Sequence, residues 1–150
     1  MRKRISITEM GAKTGVLCTR EIQKTIDLLD EAGGTVVIPE GIFLSGTLEL
    51  KNVSIFLEKG AVLKGSSEIS DYYANSFIHN EMKQTISLLY AMNRDNISIS
   101  GEGTIDLNSD AFFDMSKREV PDYGWEFSKE QWKECTATYD YRVTQPLFFN

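Results

Sequence analysis

The 150-residue sequence predicts an all-β chain wound as a right-handed parallel β-helix, with one amphipathic helix ahead of the coils. Three observations carry this. A single stretch of helical period is followed by a series of short stretches of period two. Those stretches are separated by only a few residues, yet the hairpin dipeptides Asn-Gly and Asp-Gly are absent between them. One of them recurs: Asn96 begins a segment that repeats the one begun by Asn52, 44 positions earlier.

The chain opens Met-Arg-Lys-Arg, which is basic, but no apolar stretch of signal-peptide length follows. No run approaches the ~20 apolar residues of a membrane span. The expectation is a chain with no signal peptide, cytoplasmic as written, with no membrane partner. The helix is predicted over residues 19–32. Thr19 stands as its cap, Ile22, Ile26 and Leu29 form an apolar stripe, and Leu28 widens it. Glu21 suits the first turn, and Gly33 or Gly34 suits a left-handed stop.

Coils are predicted over residues 35–107, in T-V-V-I, I-F-L-S, T-L-E-L, V-S-I-F-L and A-V-L-K. The segment K51-N-V-S-I-F-L-E-K-G-A-V-L aligns with D95-N-I-S-I-S-G-E-G-T-I-D after one single-residue gap, matching Val62 to Ile105. At about 22 residues per coil, the spacing of 44 reads as two coils. Val53, Ile55, Ile97 and Ile99 then point inward and the intervening serines outward. Gly60 and Gly103 suit the corners, and Asn52 and Asn96 suit left-handed positions that bond neighbouring coils. Two unrelated strand–turn–strand units in a sandwich remain the alternative. Residues 67–86 break the rhythm. Residues 108–143 form an inserted loop with a helical part near Trp132, and residues 144–150 start the next coil within a single domain, 1–150.

The net charge of −6 and the pI near 4.8 argue against nucleic acid as a partner. The two cysteines, Cys18 and Cys135, are too far apart for a metal knuckle; they read as thiols, with a long-range disulfide as the alternative. One histidine, His79, makes no zinc site, and no metal is expected. Asp110 and Asp114 lie four apart and read as solvated like charges rather than a catalytic pair. Trp125 and Trp132 read as packing on the flank of the coil. Tyr139, Asp140, Tyr141 and Arg142 combine rings with a forked cation and read first as a plain loop packed on the solenoid; the alternative makes Tyr139, Tyr141 and Arg142 candidates for substrate binding.

The run G-G-T-V-V-I-P-E-G, with L-E-L-K-N-V-S-I-F-L-E-K-G-A-V-L-K-G-S and the later N-I-S-I-S-G-E-G-T-I-D, resembles the N-terminal part of polygalacturonase-like enzymes, glycoside hydrolase family 28. The resemblance covers about residues 10–71 and 87–107, with a weaker echo at 144–150. It departs at Gly15-Val-Leu-Cys-Thr19, where the family has G-D-G-x-x-D-x-T, and at Leu107, where it has glycine. It implies a pectin lyase-like solenoid and inverting hydrolysis of α-linked galacturonic acid chains, with an acidic polysaccharide as partner and no cofactor. The family's N-T-D, paired-Asp, G-H-G and R-I-K motifs are absent, so no catalytic residue is assigned. The chain is therefore expected to be a truncated N-terminal portion, inactive alone, from a parent secreted or periplasmic. An open last coil carrying Leu147, Phe148 and Phe149 is expected to self-associate. The alternatives are a non-catalytic carbohydrate-binding module and a functionless remnant.

Overall fold

The computed structural model describes residues 3–73, 86–112 and 146–147. Its strands are β1 (Lys3–Ser6), β2 (Gly34–Ile38), β3 (Gly41–Ser45), β4 (Leu48–Glu49), β5 (Val53–Leu57), β6 (Ala61–Gly65), β7 (Ile86–Ser87), β8 (Leu89–Tyr90), β9 (Ser98–Gly101), β10 (Thr104–Asp106) and β11 (Pro146–Leu147). The one α-helix described, α1, spans Thr19–Leu29.

Every described strand pair is parallel. The strands sort into three faces that the chain visits in turn. The first holds β1-β2-β5-β9, the second β3-β6-β10, and the third β4-β8, with β11 beside β7 in a separate pair. Parallel neighbours reached by corners, not reversals, make a parallel β-helix: each lap lays one strand on each face.

Alternation puts one row of side chains per face into the interior. Ile5, Val36, Ile55 and Ile99 stack in register on the first face, Phe43, Leu63 and Ile105 on the second, and Leu48 and Leu89 on the third. Val36, Phe43, Leu48, Leu63 and Leu89 are essentially sealed from water. Each such residue contributes about 1.5–3 kcal/mol by burial. Ser54 and Ser98 stack on the outside of the first face, their hydroxyls 2.8 Å apart.

The register corrects the length of the repeat. Ser54 pairs directly with Ser98, so 44 residues separate adjacent strands and make one lap, not two. The lap from Gly34 to its partner Val53 takes only 19 residues. The extra length is the off-rhythm segment after β6. The corner is also two residues shorter in the second copy, because Leu57 pairs with Gly101 but Leu63 pairs with Ile105. Matching Val62 to Ile105, as the sequence alignment did, would turn one of them outward, since a one-residue slip changes the face.

Other local expectations shift. The helix stops at Leu29 rather than at residue 32, because Asp30 turns to accept from the Asn52 backbone N–H (3.1 Å) and offers its carbonyl to the Asn52 amide (3.2 Å). Gly33 does take the left-handed form, at φ 65°. Cys18, not Thr19, occupies the cap position; the Thr19 hydroxyl instead accepts from Gly46 N–H at 2.8 Å, between β3 and β4. Leu28 is exposed, and Thr25 takes its place on the buried face. Asn96 is left-handed and Asn52 is not. The left-handed corner glycine of the second copy is Gly101, not Gly103. Gly103 is needed for closeness instead, as an added Cβ would lie 2.6 Å from that of Leu57.

The first strand begins before the predicted coils. Ile5 is buried, and Ser6 with Glu9 forms a capping box over the 3₁₀ turn Ile7–Met10. Residues 3–29 bond to one strand of each of the three faces. β1 pairs with β2. Gly15 and Cys18 donate to the Ile42 and Leu44 carbonyls of β3 (both 2.9 Å). The Gln23 amide accepts from Glu49 N–H at 2.9 Å and donates to its carbonyl at 3.1 Å on β4. The Trp125 and Trp132 expectation, the helical stretch near Trp132 and the Leu147–Phe149 edge concern side chains outside the described residues.

Two glycines give a paired prediction. Gly15 (φ 75°) has nothing within 4 Å of an added Cβ, whereas at Gly101 (φ 118°) that atom would lie 1.9 Å from the Leu57 carbonyl oxygen. Gly15→Ala therefore costs about 1 kcal/mol, from backbone conformation alone. Gly101→Ala costs well beyond ~3 kcal/mol, since the β5 backbone must also move. Urea unfolding of both variants checks the contrast.

Candidate functional site

The third face carries a group of half-buried and exposed polar and aromatic side chains. With Leu48 and Leu89 inward, the alternation turns Glu49 and Tyr90 outward, and the two are register partners. Tyr73 comes to them from the segment after β6. Its ring meets that of Tyr90 edge to face, with centroids 6.0 Å apart at 88°, and the two hydroxyls lie 3.1 Å apart.

A short strap holds Tyr73 in place. The 3₁₀ turn Ile69–Asp71 lies so close over the β3–β4 corner that a Cβ at Gly46 would sit 1.9 Å from the Asp71 carbonyl oxygen. Ser66 donates to the Asp71 carboxylate. The Tyr72 hydroxyl donates to the Ser66 carbonyl (2.8 Å), and its ring meets Phe112 edge to face. Burial, with Asp71 nearby, pushes the Tyr72 phenol up to about 12. The Thr47 hydroxyl accepts from Tyr73 N–H and donates to the Ser87 carbonyl, tying strap to strand.

Charged groups surround the rings. Arg94 approaches both Asp30 and Glu49, at 3.7 Å each. Lys51 reaches Asp27 at 2.9 Å, and Gln23 donates to the same carboxylate at 3.0 Å. Burial works to raise Asp27, but the Lys51 and Gln23 hydrogen bonds outweigh it and hold the carboxyl below its ordinary value. The Asp27 hydrogen bond raises Lys51 in turn. Burial, then Tyr90, then the charges of Glu49 and Asp27 raise the Tyr73 phenol.

Chemically the group offers aromatic faces, hydroxyls and paired charges. A general acid needs a carboxyl raised toward the working pH, and Asp27 moves the other way. Among the described residues no group of His, Cys, Asp or Glu side chains could hold a metal ion. The Cys18 thiol is buried and donates to the Leu44 carbonyl; burial, with Glu21 nearby, pushes it up to about 11, against nucleophilic use.

The substrate-binding candidates Tyr139, Tyr141 and Arg142 lie outside the described residues, as do His79, Asp114 and Cys135. Asp110 sits exposed in the 3₁₀ turn Ser109–Ala111. Asp106 is a strand-end residue: it accepts from Asn108 N–H at 2.8 Å and pairs with Lys64 at 3.3 Å. Sequence reasoning missed Glu49, Tyr73, Tyr90 and Arg94. Alternation in T-L-E-L and L-L-Y marks Glu49 and Tyr90 as outward. Their meeting depends on a register of 41 residues that the strap segment conceals.

No family model matches the sequence, and no curated protein matches it. Solved structures do. A Parabacteroides merdae protein assigned to the glycosyl hydrolases shares 34% identity over 73% of this chain, with a TM-score of 0.64. A family 28 exopolygalacturonase from Yersinia enterocolitica shares 25% identity over 99% of the chain, with a TM-score of 0.68. A hyperthermoactive exopolygalacturonase from Thermotoga maritima shares 23% over 69%, at 0.59, which speaks to the fold alone. The chain spans 48%, 32% and 24% of those three proteins, about half their length or less. The laps thus define a parallel β-helix whose fold is similar to that of these proteins. More narrowly, the chain is polygalacturonase-like: it resembles part of a family 28 enzyme.

The Asp27–Lys51 pair predicts a pH signature. A depressed carboxyl stabilises the fold above its unfolded pKa of about 3.9, and that stability is lost as pH falls through the lower folded value. Asp27→Asn should lower the unfolding free energy at pH 7 by less than ~1 kcal/mol, because the pair is partly exposed. The difference from the native chain should vanish in acid. Parallel urea melts at the two pH values check this.

Proposed function

We propose that the chain is the N-terminal portion of a polygalacturonase-like glycoside hydrolase, a family that inverts configuration as it hydrolyses α-linked galacturonic acid. The carrying observation is 34% identity over 73% of the chain to a glycosyl hydrolase, joined to a 99% overlap with an exopolygalacturonase. In this reading the coils are right-handed and α1 caps their first lap. The hydrogen bonds that residues 3–29 make to β2, β3 and β4 support the cap. The parent acts outside the cytoplasm, where its polysaccharide is found. The portion is inactive alone, because the N-T-D, paired-Asp and G-H-G motifs of the family do not occur in its sequence. A non-catalytic carbohydrate-binding module is the second reading, favoured by the exposed Tyr73–Tyr90 pair.

Incubated with polygalacturonate, the purified chain should release no reducing sugar above the no-protein control; steady turnover would overturn its inactivity. The coding sequence past Asn150, in a continuing or shifted frame, should carry the N-T-D and paired-Asp motifs. Their absence there would leave the binding-module reading.

A further inference from the structure

The rings and charges of the third face carry one inference more specific than the function above, resting on its reading of this face as carbohydrate-binding. We propose that the Tyr73–Tyr90–Glu49 patch binds an uncharged sugar ring and discriminates against a uronate.

The rings fit a pyranose. Tyr73 is 48% exposed, and its edge-to-face contact with Tyr90 fixes two aromatic surfaces at 88°, a corner rather than a flat platform. The C–H face of a sugar stacks on one ring while its edge meets the other, and the paired hydroxyls offer donors and acceptors at the seam. Glu49, directly across the strand pair from Tyr90, accepts hydrogen bonds from sugar hydroxyls.

The charges do not fit a carboxylate. Three carboxylates, Asp27, Asp30 and Glu49, face two cations, Lys51 and Arg94, which leaves one negative charge in excess. Both cations are engaged: Lys51 by Asp27, Arg94 by two carboxylates at once. After burial and the Tyr90 hydrogen bond, the charge of Glu49 and Asp27 adds to what opposes ionisation of the Tyr73 phenol. It would oppose a bound uronate for the same reason. An anion seated on the rings would have to displace a carboxylate from Arg94 or accept repulsion from Glu49. A neutral hydroxylated ring meets neither obstacle. On a polysaccharide that mixes acidic and neutral sugars, the patch would therefore hold a neutral residue.

Isothermal titration of the full 150-residue chain with β-1,4-galactotetraose and with tetragalacturonate tests this. The neutral tetrasaccharide should bind about fivefold or more tightly at low salt, the order expected for one repulsive charge near 4 Å in water. Added salt should narrow the gap by strengthening tetragalacturonate, since it screens repulsion; at a cationic subsite salt would weaken it. Tyr73→Ala should weaken galactotetraose about tenfold, Tyr73→Phe should retain most of the binding, and the isosteric Glu49→Gln should narrow the discrimination. Tighter tetragalacturonate binding that falls with salt would overturn the patch assignment while leaving the galacturonan reading standing. Galactotetraose binding unchanged in Tyr73→Ala, or absent altogether, would overturn it as well.

Discussion

Everything described depends on parallel stacking of successive laps in a register that keeps apolar residues on one side. A parallel pair offers no tight turn to set its register, so the side chains must. Ile5, Val36, Ile55 and Ile99 do this on the first face; a slip of one residue would turn the whole row into water. The corners follow from that demand. The corner after β9 is shorter than the one after β5, yet Ile105 still falls on Leu63 because the difference is an even number of residues. Glycine then appears where backbones come close: at Gly101 against Leu57 and at Gly46 against Asp71.

The same register builds the surface. Once Leu48 and Leu89 are committed inward, Glu49 and Tyr90 have no choice but to face out side by side. The strap adds Tyr73 through contacts at Gly46 and the Thr47 hydroxyl, anchored by the buried Tyr72. A lap lengthened at one corner thereby places an aromatic ring on a face two strands away in sequence. The charged ring of Asp27, Asp30, Lys51 and Arg94 joins α1 to that face. Recognition groups and the helix are thus parts of one hydrogen-bonded edge.

Period and composition were enough to find most of the strands and the helix, because each is specified by residues close in sequence. T-V-V-I and V-S-I-F-L carry their inward rows openly. What the sequence hid was pairing. The spacing between Asn52 and Asn96 is one lap plus a detour, and a count of residues alone cannot separate that from two plain laps. Thr19 has the chemistry of a cap, but its hydroxyl meets Gly46 N–H, 27 residues away, and tertiary demand outweighs local preference. Likewise β1 was concealed in a basic stretch, where only Ile5 and the Ser6–Glu9 box mark it. The tyrosine patch was out of reach for the same reason: its members are ordinary residues until the strands carrying them are laid side by side.

The Gln23 side chain has a consequence of its own. Leu48 and Leu50 spend their N–H groups on β8, which leaves Glu49 pointing the other way, and one primary amide meets both its donor and its acceptor. A single side chain thus imitates one rung of a missing strand. Together with β1 and the Gly15–Cys18 turn, it lets residues 3–29 bond to one strand of each of the three faces.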